Sequence, residues 1–199
     1  LAPIDKLPLS PVRGQVSELA LSTDASGLQR SLETVVCHKG YMTPTHQGRY
    51  CIGATFDKDE RDIETRAKDD QFNIDMVRNA IPDFPKITVN DIKRSKARLR
   101  ATTPDHLPMV GPVPKVNEHK AIYSKLSEDK NWRINDLAPY HSKLYIMSGL
   151  GARGLCSAPL ISDLLVAELC NLPLPLDSKM RFNLAPNRFV IKDIIKRKS

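Results

Sequence analysis

Two hydrophobic periods meet in the stretch from Leu144 to Leu169. Leu144, Tyr145, Ile146 and Met147 form a short apolar run whose length and make-up predict a buried strand. Gly149, Gly151 and Gly154 follow, residues that allow positive φ and close approach of another molecule. From Ser157 to Leu169 the apolar positions recur at helical spacing, with Ala158, Ile161, Leu164, Leu165 and Leu169 on one face. Strand, glycine turn and helix together aim unpaired N–H groups, and the positive end of a helix dipole, at one point. Such a point favours an anion or an electron-rich ring edge.

Upstream, the pattern predicts mostly strands. Val12 to Leu21 mixes apolar and polar positions as a half-buried strand does, and Thr23 to Leu32 reads as polar turn. Thr34–Cys37 and Tyr41–Thr43 are short strand candidates; Thr45–Gly48 is a hairpin loop before a strand from Arg49 to Phe56. Asp57 to Asp70 is an exposed charged connection. A helix is expected from about Asp69 to Ala80, with Phe72, Met76, Val77 and Ala80 on one face and Pro82 ending it. After Ser95, alternation puts Ala97, Leu99 and Ala101 on one side of a strand and Lys96, Arg98 and Arg100 on the other. Val116 to Trp132 is expected to be partly helical and exposed, and Arg188 to Lys198 a final amphipathic helix packing through Phe189, Ile191, Ile194 and Ile195. Several antiparallel-looking strands, one crossing helix and a terminal strand–helix unit predict an α+β fold.

Composition narrows the class. At 199 residues, 41% hydrophobic and 27% charged, the chain is globular, and no apolar run approaches the ~20 residues needed to span a bilayer. It starts Leu1-Ala2-Pro3, with neither initiator Met nor signal-peptide core, and is expected to be an internal or C-terminal piece of a longer polypeptide. Cys37, Cys51, Cys156 and Cys170 lie far apart without C-x-x-C, which fits reduced thiols in a cytoplasmic protein. A net charge of +7, concentrated at Lys93, Arg94, Lys96, Arg98 and Arg100 and at Arg188, Lys192, Lys196, Arg197 and Lys198, suggests a polyanionic partner or a solvated basic surface.

Chemistry-bearing patterns are few. Gly149, Gly151 and Gly154 meet the G-x-G-x-x-G spacing, but the acidic ribose partner about 20 residues on is missing, so spacing alone leaves open a turn that binds nothing. The five histidines have no metal-ligand spacing, and no nucleophile elbow is present. Arg100, at a strand end before Thr103-Pro104-Asp105, could grip a carboxylate with two parallel bonds, pair with Asp105 or point to water. No residue is assigned as a catalytic acid or base, so an enzyme built this way needs a cofactor to carry its chemistry.

At LPLSPVRGQVS (Leu7 to Ser17), KGYMTP (Lys39 to Pro44), GRYCIGATF (Gly48 to Phe56), RLRATTPDHLPMVGPVP (Arg98 to Pro114), GLGARGLCSAPL (Gly149 to Leu160) and APNRFVIKDIIK (Ala185 to Lys196) the chain resembles a known family. It is similar to the C-terminal part of the FAD-dependent oxidoreductase module of bifunctional tRNA methylaminomethyl-2-thiouridine biosynthesis proteins, in the D-amino-acid oxidase/glycine oxidase superfamily. The resemblance implies an antiparallel substrate-binding region over residues 1–140, the last strand and helix of an FAD domain over 141–175 and a basic helical tail over 176–199. The first βαβ unit of that FAD domain would lie upstream. The turn Gly149, Leu150, Gly151, Ala152, Arg153, Gly154, Leu155 and Cys156 would lie against the isoalloxazine and stabilise negative charge on the reduced ring.

By the same resemblance, Arg100 matches the arginine that clamps the substrate carboxylate, and Tyr41 a tyrosine lining that pocket. The implied reaction removes the carboxymethyl group of carboxymethylaminomethyl-(2-thio)uridine at the tRNA wobble position, leaving aminomethyl-uridine. A separate S-adenosylmethionine (SAM)-dependent methyltransferase module of the same polypeptide would then methylate the amine. FAD would belong to the complete protein and be held weakly or not at all by these 199 residues. tRNA phosphates would meet the basic tail and the Lys93–Arg98 cluster. Two other readings stay open: a small-amine oxidase of the glycine or sarcosine type, and a non-catalytic basic tRNA-binding module.

Overall fold

The computed structural model describes residues 3–20, 32–81 and 86–197. The polar turn expected over Thr23–Leu32 lies almost wholly outside those residues, as does Pro82. Antiparallel strands and five helices make the mixed α+β architecture, in two compact units: one contiguous, Pro11–Arg100, and one assembled from Leu1–Ser10 and Ala101–Ser199. The boundaries expected at 140/141 and 175/176 both fall inside the second.

In the contiguous unit, β1 (Ser10–Leu19) is central. The hydrogen-bonded order is β2 (Val36–Cys37), β3 (Tyr41–Met42), β4 (Tyr50–Gly53), β1 and β5 (Asp57–Lys58), and β6 (Ile92–Thr102) also pairs with β1. The registers Tyr41↔Gly53↔Val16, Met42↔Ile52↔Ser17, Cys51↔Glu18 and Tyr50↔Leu19 fix two faces. Met42, Tyr50, Ile52 and Leu19 share one face and pack with Ile74 and Val77 of α1 (Ala67–Ala80) and with Ile87. Tyr41, Cys51, Gly53, Val16 and Glu18 share the other, since side chains alternate along a strand.

Along β1, the face toward α1 is polar as well as apolar. Arg13, Gln15 and Ser17 are buried there. Arg13 donates to Asp69 at 2.6 Å and to the carbonyls of Asp62 and Glu64 at 2.7 and 2.6 Å. One oxygen of Asp70 accepts from Gln15, Ser17 and Ser95 at 2.6–2.9 Å. This network qualifies two expectations. The charged segment from Asp57 to Asp70 is mostly exposed, as expected, but it also forms β5 and closes over the Arg13 guanidinium through Asp62, Glu64 and Asp69. The inner face of α1 carries Asp69, Asn73, Ile74 and Val77, while Phe72 and Ala80 face solvent. Buried polar groups at i and i+4 outrank the apolar stripe because each buried charge must find a partner.

Burial along β6 does not follow alternation strictly. Ala97 is buried, but Leu99 and Ala101 are exposed. Arg100 is half-buried while Lys96 and Arg98, which alternation groups with it, are exposed, because its guanidinium lies against Gly14.

The discontinuous unit holds an antiparallel pair, β7 (Met109–Pro114) with β8 (Tyr140–Ser148), and four helices: α2 (Val116–Ile122), α3 (Gly154–Cys170), α4 (Ser178–Leu184) and α5 (Arg188–Ile195). β8 is longer than the expected run and half-exposed, because it has a partner on one edge only among the described residues. α3 buries Ile161, Leu164 and Ala167 against Val110, whereas Leu160, Val166 and Leu169 are exposed. Leu7, Met109 and Phe189 form one core cluster; Tyr123, Leu126, Ala138, Val190 and Ile194 form another. Around α2 the chain is partly helical, as expected, but His119, Tyr123 and Leu126 are buried.

The tail is less free than its charge suggests. Arg188 is fully buried and donates two bonds of 3.0 Å to Asp105, while Lys192 donates a third at 2.8 Å. Burial pushes the Asp105 carboxyl upward, but bonds from Arg188 and Lys192 outweigh it and hold the group well below the usual carboxylate range. Of the expected basic tail, Lys196 and Arg197 keep exposed side chains, and Lys198 lies outside the described residues.

Candidate functional site

Arg100 and Tyr41 come together in the contiguous unit. The Arg100 guanidinium lies against Gly14 of β1, and a Cβ built there would overlap it. A glycine inside a strand often marks such close approach. Nη1 of Arg100 donates to the Thr55 carbonyl at 3.3 Å, and no carboxylate pairs with the guanidinium among the described residues. Asp105, weighed as its partner, is taken by Arg188 and Lys192.

Tyr41 sits on the sheet face that also carries Cys51, and the phenol and thiol act on each other's titration. Burial pushes the Tyr41 phenol up, Cys51 adds to this, and nearby Arg100 pulls it back. Burial likewise pushes up the Cys51 thiol, against the lowering effect of Tyr41. Both groups are therefore neutral near pH 7, and Arg100 supplies a positive charge beside them. Glu18 on the same face is paired with Arg49 at 2.8 Å. The patch is a half-buried cation with donor groups alongside, suited to a carboxylate.

Gly14 and Cys51 belong to this patch and were not singled out from sequence. Both had a signal: Gly14 interrupts an otherwise regular strand pattern, and Cys51 shares the parity of Gly53 in RYCIGATF.

The glycine turn belongs to the other unit. Gly149 and Gly151 take φ of +71° and +56°, values that disfavour side chains. A Cβ on Gly149 would meet the Thr103 methyl at 2.6 Å, so the turn is closely packed on the 103 segment. Gly151 donates to the Ala101 carbonyl at 3.0 Å, and Arg153 to Leu150 at 3.3 Å. Cys156 and Ser157 both bond the Arg153 carbonyl at the start of α3. The N–H groups of Gly154 and Leu155 have no acceptor among the described residues. Leu155 is 97% exposed, and Ala152, Arg153 and Cys156 are exposed with it. A 17-residue helix opening on free N–H groups carries positive potential at that end. Among the described residues, no cluster of His, Cys, Asp or Glu is arranged to hold a metal, and no helix is long and apolar enough to cross a membrane.

The family model described as FAD dependent oxidoreductase matches residues 1–168. The chain is 38% identical over 200 residues to the tRNA 5-methylaminomethyl-2-thiouridine biosynthesis bifunctional protein MnmC of Aeromonas hydrophila, covering 100% of this chain and 29% of that protein. It is 36% identical to the MnmC of Shewanella sp. W3-18-1, covering 98% and 29%. Among solved structures, glycine oxidase from Geobacillus kaustophilus superposes with a TM-score of 0.60 at 22% identity, over 86% of this chain and 38% of that one. Iminodiacetate oxidase from Chelativorans sp. BNC1 gives 0.63 at 21%, over 91% and 40%. The likeness to these two oxidases is one of fold. The chain spans less than a third of the length of the MnmC relatives.

Proposed function

The chain belongs to the FAD-dependent oxidoreductase family, and on that basis we propose that it forms part of a cytoplasmic enzyme that oxidises a carboxymethylamine carried on tRNA. The substrate is carboxymethylaminomethyl-(2-thio)uridine at the wobble position. Two-electron oxidation at the carbon between amine and carboxylate, then hydrolysis of the imine, releases glyoxylate and leaves aminomethyl-uridine. A SAM-dependent methyltransferase elsewhere in the same polypeptide would methylate that amine; the bifunctional name of the MnmC relatives supports this.

The observation that carries the reading is Arg100: half-buried, held against Gly14, and with no carboxylate partner among the described residues. Its role is to grip the carboxymethyl carboxylate in two parallel bonds and so orient the adjacent C–N bond. Tyr41, neutral and beside it, borders the same pocket and orders the bound carboxylate through its hydroxyl. The chain's own residues act by orientation and exclusion of water rather than by proton transfer.

FAD, when bound, supplies the oxidising equivalents. Gly149, Leu150, Gly151, Ala152, Arg153, Gly154, Leu155 and Cys156 fit a role beside it on two observations, the positive φ of Gly149 and Gly151 and the unaccepted N–H groups of Gly154 and Leu155. Their contribution is fixed positive potential toward negative charge. These 199 residues alone are expected to retain FAD weakly or not at all.

The test uses the complete polypeptide, loaded with FAD and kept without oxygen. Bleaching of the flavin by tRNA bearing carboxymethylaminomethyl-uridine, and not by glycine, is expected. Bleaching by glycine alone would transfer the protein to the small-amine oxidases.

A further inference from the structure

Residues 124–137 make an excursion from the discontinuous unit that none of the chemistry above uses. Its two ends are pinned together, the Ala138 N–H donating to the Tyr123 hydroxyl at 3.0 Å inside a buried cluster. Within it, Asp129 accepts from Asn131 at 2.8 Å and its carbonyl accepts from Trp132 at 3.0 Å, a local turn that sets the indole in place. Trp132 is 47% exposed, and Lys125 Nζ lies 4.4 Å from its ring centroid. A cleft of about 280 Å³ opens beside the ring, lined by Lys125, Arg133, Ile134, Asn135 and Asp136 among others. The basic end of α5 reaches the same excursion, Arg197 Nε donating to the Ser127 carbonyl at 3.0 Å.

The ring is only partly covered, and the groups around it are mixed in a particular way. A flat ring offers stacking, a guanidinium and an ammonium offer contacts to phosphate, and an amide and a carboxylate offer acceptors and a donor for the edge of a base. In the lining Lys125 and Arg133 face the single acid Asp136, while Lys130 and Arg197 nearby are matched by Glu128 and Asp129, so the excess of cations is local to the ring. Lys125 already lies over the ring; with nearly half its surface open, the ring has room for a second flat group.

We propose that the Trp132 cleft binds one unpaired nucleotide of single-stranded RNA, by stacking on the indole with Lys125 and Arg133 against its phosphates. In the enzyme this would be a tRNA contact additional to the reacting uridine, and it rests on the tRNA reading above. Stacking is tolerant of base identity, so the cleft would add affinity and register without selecting one base.

Trp132 is the single tryptophan of the 199 residues, so its emission reports this cleft alone. The full 199-residue chain is titrated at fixed salt with oligouridylate and with unmodified tRNA, following both tryptophan emission and the anisotropy of labelled RNA. Quenching that saturates with the anisotropy change is expected. Trp132→Ala should weaken oligouridylate binding by roughly five- to a hundredfold, and Trp132→Phe should restore part of it. Binding with unchanged emission and no effect of Trp132→Ala overturns the cleft and leaves the tRNA reading standing. No binding of either RNA overturns the cleft as well. Quenching by oligouridylate, in a protein whose flavin tRNA fails to bleach, keeps the cleft and removes the tRNA-oxidising reading.

Discussion

At the residue scale, the decisive pair is Arg100 and Gly14. The guanidinium occupies the space a side chain at position 14 would need, so the two positions form one functional unit although only one of them can touch substrate. Arg100→Ala should raise KM for the carboxymethyl substrate by roughly ten- to a thousandfold, the loss of about 1.5–4 kcal/mol of charge-assisted bonding. Steady-state flavin reduction measures it, and unchanged kinetics would remove Arg100 from the site. Gly14→Ala adds one methyl group where the guanidinium now lies; its expected signature is a similar rise in KM, with the unfolding midpoint moved much less than the kinetics. A folded variant with normal KM would mean the guanidinium is placed by something other than this gap.

At the scale of elements, α5 is fastened by ions rather than by its apolar face alone. Asp105 receives Arg188 and Lys192, and removing the carboxylate strands a buried guanidinium. Asp105→Asn should destabilise the discontinuous unit by about 2–4 kcal/mol near pH 7, somewhat under a fully buried pair because Asp105 keeps some exposure. The sign with pH follows from its lowered folded pKa: this stabilisation is complete above the unfolded value of about 3.9, shrinks below it, and is lost only as pH falls through the much lower folded value. The gap between the urea midpoints of wild type and variant should therefore narrow steadily in acid; a gap as wide at pH 2 as at pH 7 would refute the assignment. These elements also show what the sequence could tell. Strand positions, the α3 helix and the pairing of Tyr41 with Arg100 were legible from alternation, glycine placement and family motifs. The inner face of α1 and the burial of Asp69 were not, because polar groups buried in pairs leave no apolar period to read. Arg188 read as tail charge for the same reason: its partner is 83 residues away.

At the scale of the whole molecule, two of the basic groups marked in the sequence keep exposed cations after the internal pairs are removed: Lys93, Arg94, Lys96 and Arg98 on β6, and Lys196 with Arg197 beyond α5. If β6 meets tRNA phosphates, Lys93→Glu with Lys96→Glu should weaken tRNA binding several-fold and flatten the slope of log affinity against log salt by about 1–2. An unaltered slope would assign β6 to solvent. The make-up of the two units has a temporal side too. Pro11–Arg100 is one continuous run, so its core can close while the remainder is still being synthesised. The cluster of Leu7, Met109 and Phe189 joins the segment before β1 to α5, and Asp105 waits for Arg188. That unit can be completed only after Arg188 has been synthesised, so a nascent chain stopped before it would carry one finished unit and one open hydrophobic seam, the form that chaperones and proteases recognise.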